Sequence, residues 1–284
     1  METPALSEQF KMLLERGAQE LFEDNHHRMA CADLFTSRHT IADDDLRRFF
    51  LGLQHGTVTL VRGARFNTLD RPVAVGRWGL LSREKGGCRY NAEYLPQIAA
   101  YVEAIQELGY PSERVFFELP HVALKLDLAV VGDDGAIVVL GEAKRAVLML
   151  DAVLEEVQDR YSTVDPGEEG RNEARQLAWR LWRTRAPYLW FIAPAARRAY
   201  RVRYAPLAFE PLPALPRATD IGLAHALARR LPVPILRGRQ SPNHAVQQPR
   251  LAMLASAADR ERSAAEAVSS LEQLNRQSLE GGRQ

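Results

Sequence analysis

Apolar and polar positions repeat along this chain with two periods, and each change of period marks an element. Residues 5–23 carry apolar side chains at helical spacing, with Leu6, Phe10, Leu13, Leu14 and Leu21 predicting an amphipathic helix. A polar stretch holding His26, His27 and His39 follows. Thr40 then reads as an N-cap ahead of DDDLRRFFLGLQ, with Asp43, Asp44 and Asp45 at the positive end of a second helix and Gly56 as its stop. TVTLVRGARF reads as a strand and RPVAVGRWGLL as another, a helix-then-strands order compatible with a small winged-helix-like module. From Tyr90 onward the elements lengthen. AEYLPQIAAYVEAIQELG predicts a long helix, with Pro96 near its first turn and Gly109 ending it. ERVFFELP is a short strand, and two apolar runs around Gly-Asp-Asp-Gly form a hairpin. Two helices follow, over AVLMLDAVLEEVQDRY and RNEARQLAWRLWRTR, then a buried strand PYLWFIAP and an alternating one AYRVRYAP.

The hairpin, LKLDLAVVGDDGAIVVLGEAKR, is where charge interrupts apolar strands. Two registers are open. With Val131 opposite Ala136, Asp127 lies across from Leu140 and Lys125 from Glu142; with Asp134-Gly135 as the turn, Asp127 faces Glu142 directly. Side chains alternate with period two, so both registers put Asp127, Glu142 and Lys144 on one face. The other face, Leu124, Leu126, Leu128 and Val130 against Ile137, Val139, Gly141 and Ala143, is wholly apolar. Carboxylates about 5–8 Å apart at Cβ repel and raise one another's pKa unless they share a cation. Mg²⁺ removes that conflict, because it takes one or two carboxylates and completes its shell with water and phosphate. The Ala143 carbonyl adds one more oxygen, and Lys144 is placed to hold a phosphate or an attacking water.

Composition bounds the function. With 284 residues, 46% hydrophobic and 26% charged, the chain has ample material for a core. The periodicity divides it into an N-terminal segment (1–89), a core (90–210), a proline-rich linker with one helix (211–251) and a polar tail (252–284). No apolar run approaches a membrane span, and the first 23 residues lack a secretory core. Only Cys31 and Cys88 occur, which excludes a disulfide framework and a Cys-rich zinc site and suits a reducing, cytoplasmic setting. Net charge is +1, yet all but four of the 37 basic residues are arginine, so Lys144 is a sparse residue type in a pointed position. There is no Gly-rich phosphate loop, Gly-x-Ser-x-Gly or paired-Cys motif, which weakens NTPase, hydrolase and zinc-finger readings.

A strand-borne Asp127, a hairpin and then Glu142-Ala143-Lys144 resemble the PD-(D/E)XK nuclease superfamily over about residues 90–206. The proline of the motif is absent, since Leu126 precedes Asp127. The resemblance implies an α/β (α+β) fold with a restriction-endonuclease-like core, a central mixed sheet flanked by helices. It implies a Mg²⁺-dependent DNA endonuclease, with Mn²⁺ able to substitute, in which Asp127, Glu142 and the Ala143 carbonyl bind metal and Lys144 activates water. It also implies a further acid from the first core helix: Glu103 is the first choice, Glu107 one turn on is the next, and Glu118 on the following strand is a third. Gln158 and Tyr161 are similar to the glutamine–tyrosine motif of RecB-like nucleases, one residue short in spacing.

Other residues point to polyanions. Arginines crowd 171–203 against the single acid Glu173, and Arg171, Arg175 and Gln176 fall near one helical stripe, with Leu177, Leu181 and Trp182 on the buried side. Residues 62–89 are also basic, with Phe66 and Trp78 available for packing or stacking. DNA is the expected partner, with RNA as the other polyanion such a site admits, and cutting two strands is compatible with a homodimer. The histidine-aspartate cluster around His39 matches no ligand spacing, and His121 reads as a loop residue. The rival function is a non-catalytic nucleic-acid-binding or regulatory protein that keeps the nuclease fold.

Overall fold

The computed structural model describes residues 5–22, 41–70, 78–84, 87–119 and 125–223. The expectations for His26, His27, His39, Thr40, His121, most of the linker and the tail lie outside them. The N-terminal part contains α1 (Leu6–Phe22), α2 (Asp43–Gln54), β1 (Val58–Val61), β2 (Arg65–Thr68), β3 (Trp78–Gly79), β4 (Leu81–Glu84) and β5 (Gly87–Tyr90). The long helix α3 (Tyr94–Gln106) follows, then β6 (Val115–Leu119), β7 (Leu126–Val131), β8 (Ile137–Ala143), α4 (Val147–Tyr161), α5 (Glu173–Thr184), β9 (Tyr188–Ala193), β10 (Ala196–Tyr204) and β11 (Leu207–Leu212).

TVTLVRGARF is not one strand but a hairpin. Gly63 and Ala64 take left-handed φ values of 77° and 52°, which turns the chain so that Val58 pairs with Thr68 and Val61 with Arg65. β3 extends this pair to three strands, and β4 with β5 makes a separate two-stranded ribbon. Helix α2 starts one residue past Ala42, which gives no side-chain cap, and its first turn carries Asp43, Asp44 and Asp45 near the positive end of the helix.

The centre is a six-stranded mixed sheet in the order β11-β10-β9-β8-β7-β6. Neighbours are antiparallel except β8 and β9, which run parallel because α4 and α5 cross over between them. β11 falls where the sequence reads as the approach to a linker; the alternation of LAFEPL pairs it with β10, Val202 opposite Phe209.

Apolar side chains divide between the two faces. On one, Leu128, Val130, Val139, Trp190 and Ile192 pack with Ile98 and Tyr101 of α3. That cluster runs on without a break into Phe10 and Leu14 of α1, Phe49 of α2 and Phe66 of β2, so the core is continuous across position 90. On the other face, Ala129, Ile137, Leu140, Leu189 and Phe191 are covered by Leu150 and Val157 of α4 and by Leu177 and Leu181 of α5. Phe66 and Trp78 lie inside the first cluster, 0% and 5% exposed, so they serve packing and not base stacking.

The hairpin adopts the second register, with Leu128 opposite Gly141, Ala129 opposite Leu140 and Val130 opposite Val139. A bulge follows, because Val131 pairs with Ile137 and leaves Val138 unmatched. The extra residue exchanges faces: Ile137 joins the α4–α5 side, while Val138 packs toward α3. The all-apolar face therefore holds from Leu128 to Val130 and from Val139 to Ala143, and not at Ile137.

Candidate active site

One step beyond Leu128–Gly141, the ladder brings Asp127 opposite Glu142. Here the strands part. The backbone N–H of Ala143 donates to Asp127 Oδ2 at 2.7 Å, so the carboxylate closes the gap left by the ladder. The carbonyl of Asp127 is held from the other side by Gln97 of α3, whose Nε2 donates to it at 2.6 Å. The Ala143 N–H is thus part of the site. The neighbouring backbone is unusual: Glu118 and Lys125, on either side of the β6–β7 connection, have φ values of 46° and 44°, a left-handed region that non-glycine residues rarely occupy.

Glu142 is 4% exposed and lies between two cations. Lys144 Nζ donates to its Oε1 at 2.9 Å, and Arg180 of α5 donates through Nη1 to its Oε2 at 2.7 Å. Burial lowers the affinity of Lys144 for its proton, but the charge and hydrogen bond of Glu142 more than offset this, and the ammonium is held above its ordinary range. Lys144 also meets Glu173, at the start of α5, at 3.3 Å. Asp127 is the destabilised member. Burial, and then the charge of Glu142, push its carboxyl up to about 8, against the pull of the Ala143 amide, Arg180 and Lys144. Among the described residues, Asp127 Oδ1 accepts no hydrogen bond.

Of the sequence-derived candidates, the structure joins Asp127, Glu142, Ala143 and Lys144. It places Glu103 elsewhere. Its carboxylate lies 3.5 Å from Arg48 of α2 and 3.4 Å from Arg197 of β10, on the α3 side of the sheet, where burial raises its pKa against the pull of both arginines. Glu107 belongs to the same network, with Arg48 bound at 2.9 Å through both of its oxygens. Glu118 stands across from Asp127 by register, but its Oε2 accepts from Trp78 Nε1 at 2.6 Å. Glu103 and Glu107 are thus tied to arginines and not to the Asp127–Glu142 pair.

The helical stripe also changes meaning. Arg175 Nη2 donates to the carbonyl of Pro166 at 3.2 Å and approaches Glu168, and Gln176 Nε2 donates to the carbonyl of Gly170 at 3.0 Å. Both therefore hold the 162–172 loop in shape, while Arg171 is exposed. Gln158 lines a groove with Asp151, Tyr200 and Phe209, and Tyr161 accepts from Trp182 Nε1 through its carbonyl; neither meets Glu142.

Sequence reasoning missed Gln97 and Arg180. Gln97 carries no signal, since a polar residue in a first helical turn is ordinary. Arg180 does carry one: it falls between Leu177 and Leu181, a charge inside the apolar stripe of α5.

The donor set is two hard carboxylates. With both ionised, Asp127, Glu142, Lys144 and Arg180 sum to no net charge. A divalent cation would add two positive charges, matching a phosphodiester and an attacking hydroxide. Asp127 Oδ1 is the oxygen of this pair that no protein donor engages among the described residues, so it is the one a cation would reach without displacing a partner. Among the described residues, no group of three or more His, Cys, Asp or Glu side chains is arranged around an ion position, so any cation here would rest on this pair. No helix of the described residues is long and apolar enough to cross a membrane. Comparison with protein-family models, curated proteins and solved structures finds no match to this chain.

Proposed function

We propose that this chain is a Mg²⁺-dependent phosphodiesterase that hydrolyses DNA on a restriction-endonuclease-like core. The observation that carries the reading is that Asp127 and Glu142 lie opposite one another one step past the last ladder pair, Leu128–Gly141, with Lys144 bound to Glu142. The order helix, three antiparallel strands, helices, and a strand parallel to the third supports it, because the resemblance implies that order.

Asp127 and Glu142 would hold the cation, with the Ala143 carbonyl as a further oxygen, and Mn²⁺ would substitute. When bound, the metal lowers the pKa of water and stabilises charge developing at phosphorus. Lys144 is the residue free to act: its ammonium stays charged, its stem is flexible, and it exchanges Glu142 or Glu173 for the scissile phosphate and orients the water. Arg180 stays on Oε2 of Glu142 and holds that side chain in place. Gln97 and the Ala143 amide hold Asp127 at both its backbone and its side chain.

DNA is the favoured substrate over RNA, with the exposed arginines Arg171 and Arg201 as candidate phosphate contacts. The segment before residue 90 would serve recognition, and two chains would act together on a duplex. One observation favours a second reading, a nucleic-acid-binding protein without catalysis: both oxygens of Glu142 already accept from protein cations.

Cleavage separates the two. Plasmid and single-stranded DNA are incubated with the full chain and Mg²⁺ or Mn²⁺, with and without chelator. Metal-dependent cleavage that is lost in Asp127→Ala and Lys144→Ala supports the enzyme. Binding that persists in those variants, with no cleavage by the unmodified chain under either metal, leaves the binding protein.

A further inference from the structure

A guanidinium in the core of α5 is a costly choice. The Arg180 side chain is 8% exposed between fully buried Leu177 and Leu181, and its Nε is buried without a hydrogen-bond partner. Taking such a charge out of water is unfavourable even when it is paired. Balance against the two carboxylates accounts for its charge but not for its placement, because Lys144 already engages Glu142 at Oε1, 2.9 Å away. What Arg180 adds is direction. It comes from a different element and engages the other oxygen, Oε2, at 2.7 Å.

The two cations differ in how firmly they hold. Arg180 is fixed on a packed helix. Lys144 ends a flexible stem and is shared with half-exposed Glu173, so Oε1 is the oxygen that can change partners. Glu142 can thus offer one oxygen to an incoming cation while the other stays tied.

We infer that Arg180 is a positioning residue that restricts Glu142 to ligation through one oxygen, and thereby sets the site's preference for Mg²⁺ over Ca²⁺. The inference rests on the cation-site reading above. Mg²⁺ needs six near-ideal oxygen positions at about 2.0–2.1 Å and takes carboxylates one oxygen at a time. Ca²⁺, at about 2.3–2.6 Å, takes six to eight oxygens and gains from carboxylates that chelate with both. A Glu142 tied at Oε2 withholds the second oxygen that Ca²⁺ would use.

The test is calorimetric titration of the full chain with MgCl₂, MnCl₂ and CaCl₂ in the absence of DNA, so that no catalytic step enters the readout. The unmodified chain is compared with Arg180→Gln, Arg180→Met and Arg180→Lys, each checked for folding by circular dichroism. The expected result is tighter binding of Mg²⁺ and Mn²⁺ than of Ca²⁺ by the unmodified chain. In Arg180→Gln or Arg180→Met the ratio of Ca²⁺ to Mg²⁺ affinity rises on the order of tenfold. Arg180→Lys, which keeps one donor to Oε2, retains most of the original ratio. A uniform change for all three ions, or none, would show that Arg180 only balances charge. Equal affinity of the unmodified chain for Ca²⁺ and Mg²⁺ would overturn the inference even if no glutamine or methionine variant folds. No binding of any cation to the unmodified chain would defeat the cation-site reading itself, and the inference with it.

Discussion

Replacing Asp127 with asparagine should stabilise the metal-free protein at neutral pH, although it removes a half-buried, hydrogen-bonding carboxylate. The carboxyl moves from an ordinary 3.8 to about 8 in the fold, because burial and the charge of Glu142 both disfavour its ionised form. Between those values the folded chain binds more protons than the unfolded chain, so stability falls as pH rises. The contribution of the neutral carboxyl is complete below about pH 3.8 and is lost as pH climbs toward 8. At about 1.4 kcal/mol per pH unit, three units between pH 4 and 7 amount to on the order of 4 kcal/mol at this one position. Asparagine keeps an acceptor for the Ala143 N–H and deletes the charge. In urea titrations with chelator present, Asp127→Asn should match the unmodified chain near pH 4 and exceed it by a few kcal/mol at pH 7. Millimolar Mg²⁺ should reverse the order by stabilising only the unmodified chain. A variant less stable than the unmodified chain at pH 7 with chelator would refute the reasoning, since Asp127 would then be a well-satisfied anion.

Gly141→Ala should cost about 1–3 kcal/mol in denaturant midpoint and reduce cleavage, because the new Cβ would lie 2.8 Å from Leu128 Cβ at the last ladder pair before Asp127 and Glu142. Glu173→Gln frees Lys144 from an ion pair that is half exposed, so fluorescence-monitored DNA affinity should rise only roughly twofold at low salt and converge with the unmodified chain at high salt. Arg197→Ala leaves the 3%-exposed side chain of Asp45 without its 2.6 Å partner and cuts a tie between α2, α3 and β10, so chemical denaturation should show a loss of about 3–5 kcal/mol.

How much of this was legible in the sequence differs by element. The helices and the hairpin are periodic and local, so the stretch from Tyr94 to Gln106 and the one-face grouping of Asp127, Glu142 and Lys144 could be read from spacing alone. The register could be narrowed only to two choices, because the bulge at Val138 is compensated by the longer Gly132–Ala136 turn and neither has a signature in the residues. TVTLVRGARF concealed a turn, since Ala64 takes a left-handed φ that its residue type does not announce. Long-range pairing was out of reach. Glu103 and Glu107 look alike on a helical wheel, and what commits both to structure is Arg48, more than fifty residues upstream, joined at Glu103 by Arg197 from β10. Likewise, the arginines of 171–203 read as one polyanion surface, whereas Arg180 is buried on Glu142, Arg197 is paired with Asp45, and Arg185 lies 4.4 Å from the Trp182 ring. Composition counts charges; only the fold sorts which of them are already used.

The central claim is that Asp127, Glu142 and Lys144 act together on a phosphodiester. Its most direct measurement is the initial rate of supercoiled plasmid nicking at saturating Mg²⁺ for the unmodified chain, Glu142→Gln and Lys144→Ala, with circular dichroism confirming that each is folded. Measurable nicking by the unmodified chain, abolished by chelator and reduced roughly 10²–10³-fold in each folded variant, is the expected result. Equal rates in all three, or nicking indifferent to chelator, would contradict it.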